Sequence, residues 1–189
     1  MRLIKFGILV LAVSILSACG GPFVRLDKPA YTNANLGYTA NLPVGWVQAT
    51  GPENGNSLLI SRDGFSLQSI KIEALKHDKA FESQKKSANL TMPISDLAEL
   101  EIAEIKAKST NASSLRVLEN TLTNVANQKA FRIHYQYLND KGLRFEQIVY
   151  GLINAKNYYK ISYMAPTLHY FSRDKAQFDQ AVSSFRLTS

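Results

Sequence analysis

Residues 129–165 read KAFRIHYQYLNDKGLRFEQIVYGLINAKNYYKISYMA, and the fold turns on them. Three runs rich in aromatic and β-branched residues, Lys129–Leu138, Leu143–Ile153 and Tyr158–Ala165, are separated by the turn-forming loops Asn139-Asp140-Lys141-Gly142 and Asn154-Ala155-Lys156-Asn157. Strands joined by loops this short form an antiparallel meander. If each loop closes a simple hairpin, Leu138 pairs with Leu143 and Ile153 with Tyr158, which sets the facing of every side chain. One face then collects Phe131, Ile133, Tyr135, Tyr137, Ile148, Tyr150, Leu152, Tyr159, Ile161 and Tyr163 and is the expected core. The other collects Arg132, His134, Gln136, Gln147, Val149, Lys160, Ser162 and Met164, a mixed set, and is expected to be wet or only partly covered.

In this register Glu146 falls on the apolar face, opposite Tyr135 and near Tyr163, with Arg144 on the same side. A buried carboxylate needs a partner or a shifted pKa. Two readings stay open: a pair with Arg144 or a tyrosine hydroxyl at the end of the sheet, or a polar anchor in an aromatic pocket. Seven of the nine tyrosines lie after residue 130. Tyr158, pointing away from the apolar face, His134 beside it, and the loop His169-Tyr170-Phe171 make up the candidate binding surface, since tyrosine combines apolar area with a polar tip.

Working outward, Leu115–Thr123 is a further strand. Ser95–Lys108 reads as a helix with an apolar stripe, acids early, lysines late and Ser95 as N-cap. Asp78–Ala88 is expected to be a short solvated helix. Arg173–Phe185 closes the chain as a helix capped by Ser172, burying Phe178, Ala181, Val182 and Phe185. Upstream, Tyr38–Leu42 alternates as a strand before the turn Pro43-Val44-Gly45 and the aromatic plug Trp46. Ser57–Arg62 and Phe65–Leu75 are expected to pair across a two-residue Asp63-Gly64 turn.

The N-terminus follows a different grammar. Arg2 and Lys5 precede an apolar run, Phe6–Leu16, whose 11 residues fall short of the ~20 a membrane-spanning helix needs. This is a signal peptide, residues 1–18. Leu16-Ser17-Ala18-Cys19 resembles the lipobox of bacterial lipoproteins, which implies cleavage before Cys19 and acylation of its thiol and freed amine. The competing readings are an ordinary signal peptide cleaved nearby and an inert buried thiol. Gly20, where an aspartate would signal inner-membrane retention, points to the outer membrane with the domain in the periplasm. Residues 19–35, with Gly20, Gly21, Pro22, Pro29, Asn33 and Asn35, read as lipid anchor and flexible tether, and 36–189 as one domain.

The formal charge of +7 shrinks when Arg2 and Lys5 leave with the signal peptide, since 20 basic against 15 acidic residues leave +5. Export removes nucleic acid as a partner. Lys71, Lys76, Lys79, Lys85 and Lys86 form either a basic patch or an ordinary solvated surface. His77, His134 and His169 lack metal-ligand spacing, and the single cysteine is taken as the anchor, so no metal or cofactor is expected. No Gly-x-Ser-x-Gly elbow, Walker loop, His-Glu-x-x-His or dinucleotide fingerprint is present, and no catalytic residue is assigned.

Leu42-Pro43-Val44-Gly45-Trp46 after the first strand, Tyr158-Tyr159-Lys160-Ile161 ending in Ala165-Pro166, and the final helix ending in Ser184-Phe185 resemble the PsbP-like family, over roughly residues 36 to 187. That family takes its name from an extrinsic subunit of the oxygen-evolving complex, and a Ran-binding import factor shares its fold. The resemblance implies an α+β fold in which an antiparallel sheet is sandwiched between helices, and members that bind or stabilise other complexes. The expected function is thus a lipid-anchored, non-catalytic binding or accessory protein of the bacterial envelope with a protein partner. The alternative is an envelope hydrolase or small-ligand carrier using an aromatic pocket near Glu146.

Overall fold

The computed structural model describes residues 23–51 and 55–188. The quoted segment forms three long strands, β8 (Gln128–Leu138), β9 (Arg144–Ile153) and β10 (Tyr158–Pro166), in a meander as expected. The second loop keeps the expected register, Ile153 opposite Tyr158. The first does not: Leu138 pairs with Arg144, one residue beyond the expected Leu143. The cause is local. Asn139 Oδ1 accepts from the N–H groups of Lys141 and Leu143 at 3.0 and 2.9 Å, and Gly142 supplies a φ of 73°. This side-chain-closed turn absorbs Leu143 into a five-residue loop. A one-residue slip turns a strand over, so Phe131, Ile133 and Tyr135 share a face with Val149, while His134 shares the opposite face with Glu146, Ile148 and Tyr150. Gly151 is set opposite Phe131, where a Cβ would stand 2.1 Å from the ring's Cζ. Only glycine lets the strand pass the aromatic ring there.

Strand β7 (Arg116–Val125) joins β8 through Ala126 and Asn127, both at positive φ (52° and 59°), the two-residue turn that matches strand twist. On the far side of β10 lie β6 (Ser69–Leu75), β5 (Ser57–Ser61), β4 (Val47–Ala49) and β1 (Phe23–Arg25), giving an eight-stranded antiparallel sheet in the order β1-β4-β5-β6-β10-β9-β8-β7. The tight Asp63-Gly64 hairpin is corrected here. Ile60 pairs with Ile70, and residues 62–68 form a longer connection in which the Leu67 and Gln68 N–H groups donate to the Gly64 carbonyl.

The expected tether is also shorter than 19–35. Phe23–Arg25 pairs with β4, and β2 (Ala30–Asn33) pairs with β3 (Tyr38–Asn41) in a second, three-stranded sheet completed by β11 (Arg186–Leu187). The turn formers work inside the fold, with Asn33 Oδ1 accepting from the Leu36 N–H at 3.0 Å, and Leu26 and Leu36 are buried. Leu26 and Leu36 bury apolar area that a free tether would leave in water.

Helix α1 (Ile94–Lys108) covers one face of the large sheet, burying Leu97, Ala98 and Ile102 against Phe131, Ile133 and Val149. It starts one residue before the expected cap: Pro93 occupies the N-cap, and Ser95 lies within the helix. In place of the expected helix over 78–88 stand two short 3-10 turns, His77–Lys79 and Glu82–Gln84, separated by the buried Ala80 and Phe81 and ended by Lys85 at φ 51°. Helix α2 (Ser172–Ser184) and the small sheet cover the other face, burying Phe178, Ala181 and Val182, with Phe185 just beyond, against Tyr163, Tyr38 and Trp46. Phe171, where Ser172 was expected, is the N-cap. The architecture is the expected α+β sandwich, an antiparallel sheet between helical layers. Both of its faces are covered, and of the residues expected on the wet or partly covered face Arg132, His134, Gln136, Gln147 and Lys160 are half-buried.

Candidate functional site

Between β10 and α2 the chain turns sharply over residues 167–171. His169 sits at φ 69° and ψ −54°, a γ-turn geometry that a residue with a Cβ adopts at a cost. Leu168 is 80% exposed and His169 is exposed, so the strained tip faces solvent. A rigid base holds it. The Tyr163 hydroxyl donates to the carbonyls of Tyr170 and Phe171 at 3.0 and 3.1 Å. The Phe171 ring stacks on both Tyr163 and His134, with centroids 5.3 and 5.4 Å apart. His134 Nε2–H donates to Glu146 Oε2 at 2.8 Å.

From the other side the Arg173 guanidinium lies 5.0 Å over the Tyr170 ring and pairs with Asp63 and Asp174. Asp174 is fully buried and also accepts from Gln68 and, at 2.9 Å, from Arg62. Burial alone would raise its pKa, but the Arg173 and Gln68 hydrogen bonds and the Arg173 charge together hold it below the ordinary value.

Thus His134, Glu146, His169, Tyr170 and Phe171 form one cluster. Read along the chain they belonged to two separate ideas, and the one-residue slip at Asn139 is what places Glu146 beside His134. Three expectations are corrected. Phe171 is buried and supports the surface without forming it. Arg144 is exposed at the start of β9 and leaves Glu146 to His134. Tyr158 is wholly buried on the opposite face, its ring 5.2 Å from Phe81 and its hydroxyl donating to Glu101 at 3.0 Å.

That opposite face holds a feature the sequence reading missed. Between α1 and the sheet runs a cleft of about 350 Å³, lined by Tyr135, Tyr137, Gln147 and Ser162 and by a seam of charges. Lys160 Nζ is 3.4 Å from both Glu73 and Glu101, and Lys71 reaches Glu73 at 2.7 Å. Burial, the largest influence on Glu101, raises its pKa against the pull of Lys160. Burial would also raise that of Glu73, but Lys160 and Lys71 outweigh it and lower it. Burial acts to lower the Lys160 pKa, and the two carboxylates overcome that and raise it. Two cations face two acids and each is engaged, so the seam is closed electrostatically and ties α1 to β6 and β10. Lys71 belongs to it and Lys79 pairs with Glu82 at the surface, so of the two readings of these lysines the single basic patch is the one divided. Among the described residues no group of three His, Cys, Asp or Glu side chains is placed to hold a metal ion. Cys19 and residues 1–18, the expected lipid anchor and signal peptide, lie outside the described residues.

No protein-family model and no curated protein sequence matches the chain. Solved structures do. Cyanobacterial PsbP from Synechocystis sp. PCC 6803 aligns with 92% of this chain and 99% of its own at a TM-score of 0.58 and 18% identity. The Saccharomyces cerevisiae Ran-binding protein Mog1p aligns with 87% of this chain and 97% of its own at a TM-score of 0.58 and 10% identity. A protein from Bacteroides thetaiotaomicron VPI-5482 aligns with 87% of this chain and 50% of its own, at a TM-score of 0.53 and 12% identity. At these identities the likeness is one of fold, and the chain has the PsbP-like sandwich that its short motifs resemble.

Proposed function

We propose that this chain is a lipid-anchored accessory protein of the bacterial envelope, held at the outer membrane through Cys19. It binds another protein through the β10–α2 loop and catalyses no reaction. One observation carries the reading: an exposed tip, Leu168-His169, is held in a strained conformation over a stack of the buried Tyr163 and Phe171 and the half-buried His134. A preformed apolar tip loses little conformational freedom on binding, and strain retained at a surface loop is more typical of contact sites than of connectors. Mog1p, of the same fold, is named as a Ran-binding protein, a precedent for protein recognition on this scaffold. Glu146, the anchor of the alternative pocket reading, is engaged by His134 beneath Phe171.

The test is in-cell photo-crosslinking from a reactive residue placed at Leu168 or His169, with Leu122, exposed on β7, as control. The same partner should be captured from both loop positions and not from Leu122; no product from either, with the protein confirmed at the membrane, would overturn the reading. Anchoring has its own check. A Cys19→Ser variant should stay uncleaved and lose fatty-acid label, and retention of that label would refute the anchor.

A further inference from the structure

Cys19 lies four residues before Phe23, the first residue of β1. A fully extended chain spans at most ~3.5 Å per residue, so this link reaches no more than about 14 Å. The headgroup layer it must cross takes up roughly 6–8 Å of that. The edge of the sheet that carries β1 is therefore confined to the immediate neighbourhood of the lipid surface, whatever orientation the rest adopts.

The side chains at that edge suit the location. Phe23, Val24 and Val44 are 54%, 51% and 56% exposed. Phe23 stacks on the partly exposed Phe65, with centroids 5.6 Å apart, which presents two aromatic rings together. Arg25, on the same side of β1 as Phe23, shares a surface depression with Val44 and Arg62. Arg62 is committed to Asp174, whereas Arg25 makes no ion pair among the described residues. An apolar rim with an uncommitted guanidinium is the combination that seats at a bilayer interface, rings among the upper acyl carbons and the cation on phosphate. β7, the edge at the other end of the sheet order, has no such tie to the anchor.

We infer that the β1–β4 edge, with Phe23, Phe65, Val44 and Arg25, is a membrane-docking face that rests on a phospholipid surface and orients the whole domain. This rests on the lipid-anchor reading above. The acyl chains hold the protein at the bilayer, and the edge sets which side of the fold faces it.

Because Cys19 is acylated and is the one natural cysteine, a single introduced thiol can be labelled alone. The full-length acylated protein, carrying an environment-sensitive fluorophore at Val24→Cys, Val44→Cys or Leu122→Cys, is reconstituted in vesicles of phosphatidylethanolamine and phosphatidylglycerol with a headgroup-proximal lipid quencher. Blue-shifted, strongly quenched emission is expected at positions 24 and 44, with Leu122→Cys unaffected. A Phe23→Ser/Arg25→Ser variant should lose the quenching at position 44 while still sedimenting with the vesicles. Equal quenching at all three positions, or none in protein that remains vesicle-bound, overturns the docking face and leaves the anchor standing. Shielding of position 44 that depends on protein concentration without lipid also overturns it, in favour of a second copy on that edge. Failure of the anchor is separately visible as absence of the acyl mass on Cys19, and the docking face falls with it.

Discussion

Strand β10 presents two chemistries from one backbone. Tyr159, Ile161, Tyr163 and Ala165 face α2 and the small sheet, where the packing is almost wholly aromatic and aliphatic. Tyr158, Lys160 and Ser162 face α1, and all but Lys160 are buried in spite of their polar atoms, with Lys160 itself 16% exposed. Around β10 the first face is held chiefly by apolar area removed from water, with the Asp174 network at its margin, and the second by a charge network that must be complete to be tolerated. The two respond differently to damage: a cavity costs in proportion to what is removed, while a half-network costs what is left behind.

The largest effect is therefore expected on the apolar face. Phe178 is fully buried, 5.5 and 5.9 Å from the Tyr163 and Tyr150 rings, and Phe178→Ala should cost about 4 kcal/mol in chemical denaturation. On the polar face, Lys160→Met should cost about 3 kcal/mol by stranding the buried Glu101, while Glu73 keeps Lys71. The double variant Lys160→Met/Glu101→Gln should recover part of that, whereas removal of an ordinary packing side chain would not be relieved by a second substitution. A neutral Lys160→Met would erase the distinction between the faces.

Titration sharpens the contrast. Asp174 has a folded pKa below its ordinary 3.8, so its contribution is complete above that value and is lost as pH falls through the lower folded one. Asp174→Asn should cost about 2 kcal/mol at neutral pH, the worth of its charge-assisted hydrogen bonds, and converge on the parent in acid. Glu101 behaves oppositely: its folded pKa lies above the ordinary 4.5, so stability is greatest below that value and declines as pH rises through the raised one. Glu101→Gln should flatten the decline, and parallel pH–stability curves for the two variants would contradict the assignment. The smallest effect has the opposite sign. His169→Gly should stabilise the fold by about 1 kcal/mol by relieving the positive φ, while weakening capture of the partner at the loop.

Much of this was legible in advance because strand alternation, helical stripes and turn residues act over short stretches of chain. The meander, both helices and the sandwich follow from such signals. The facing of β9 did not, because it depends on whether Asn139 closes a four- or a five-residue loop, and the two outcomes differ by a few hydrogen bonds. Tyr158 was misplaced for a related reason. Its neighbours Lys160 and Ser162 are polar, and alternation reads a polar face as wet unless something covers it. Phe23–Arg25 and Ala30–Asn33 read as tether because three- and four-residue strands carry too little periodicity to register.

What residue order alone establishes here is local: the strands, the helices, and the sandwich they must form to bury their apolar faces. What required assembly of the whole chain is the company each polar side chain keeps. Glu101 meets Lys160 across 59 positions and Asp174 meets Arg62 across 112. No short-range pattern encodes such pairs, because a charge finds its partner only once packing has excluded water around it.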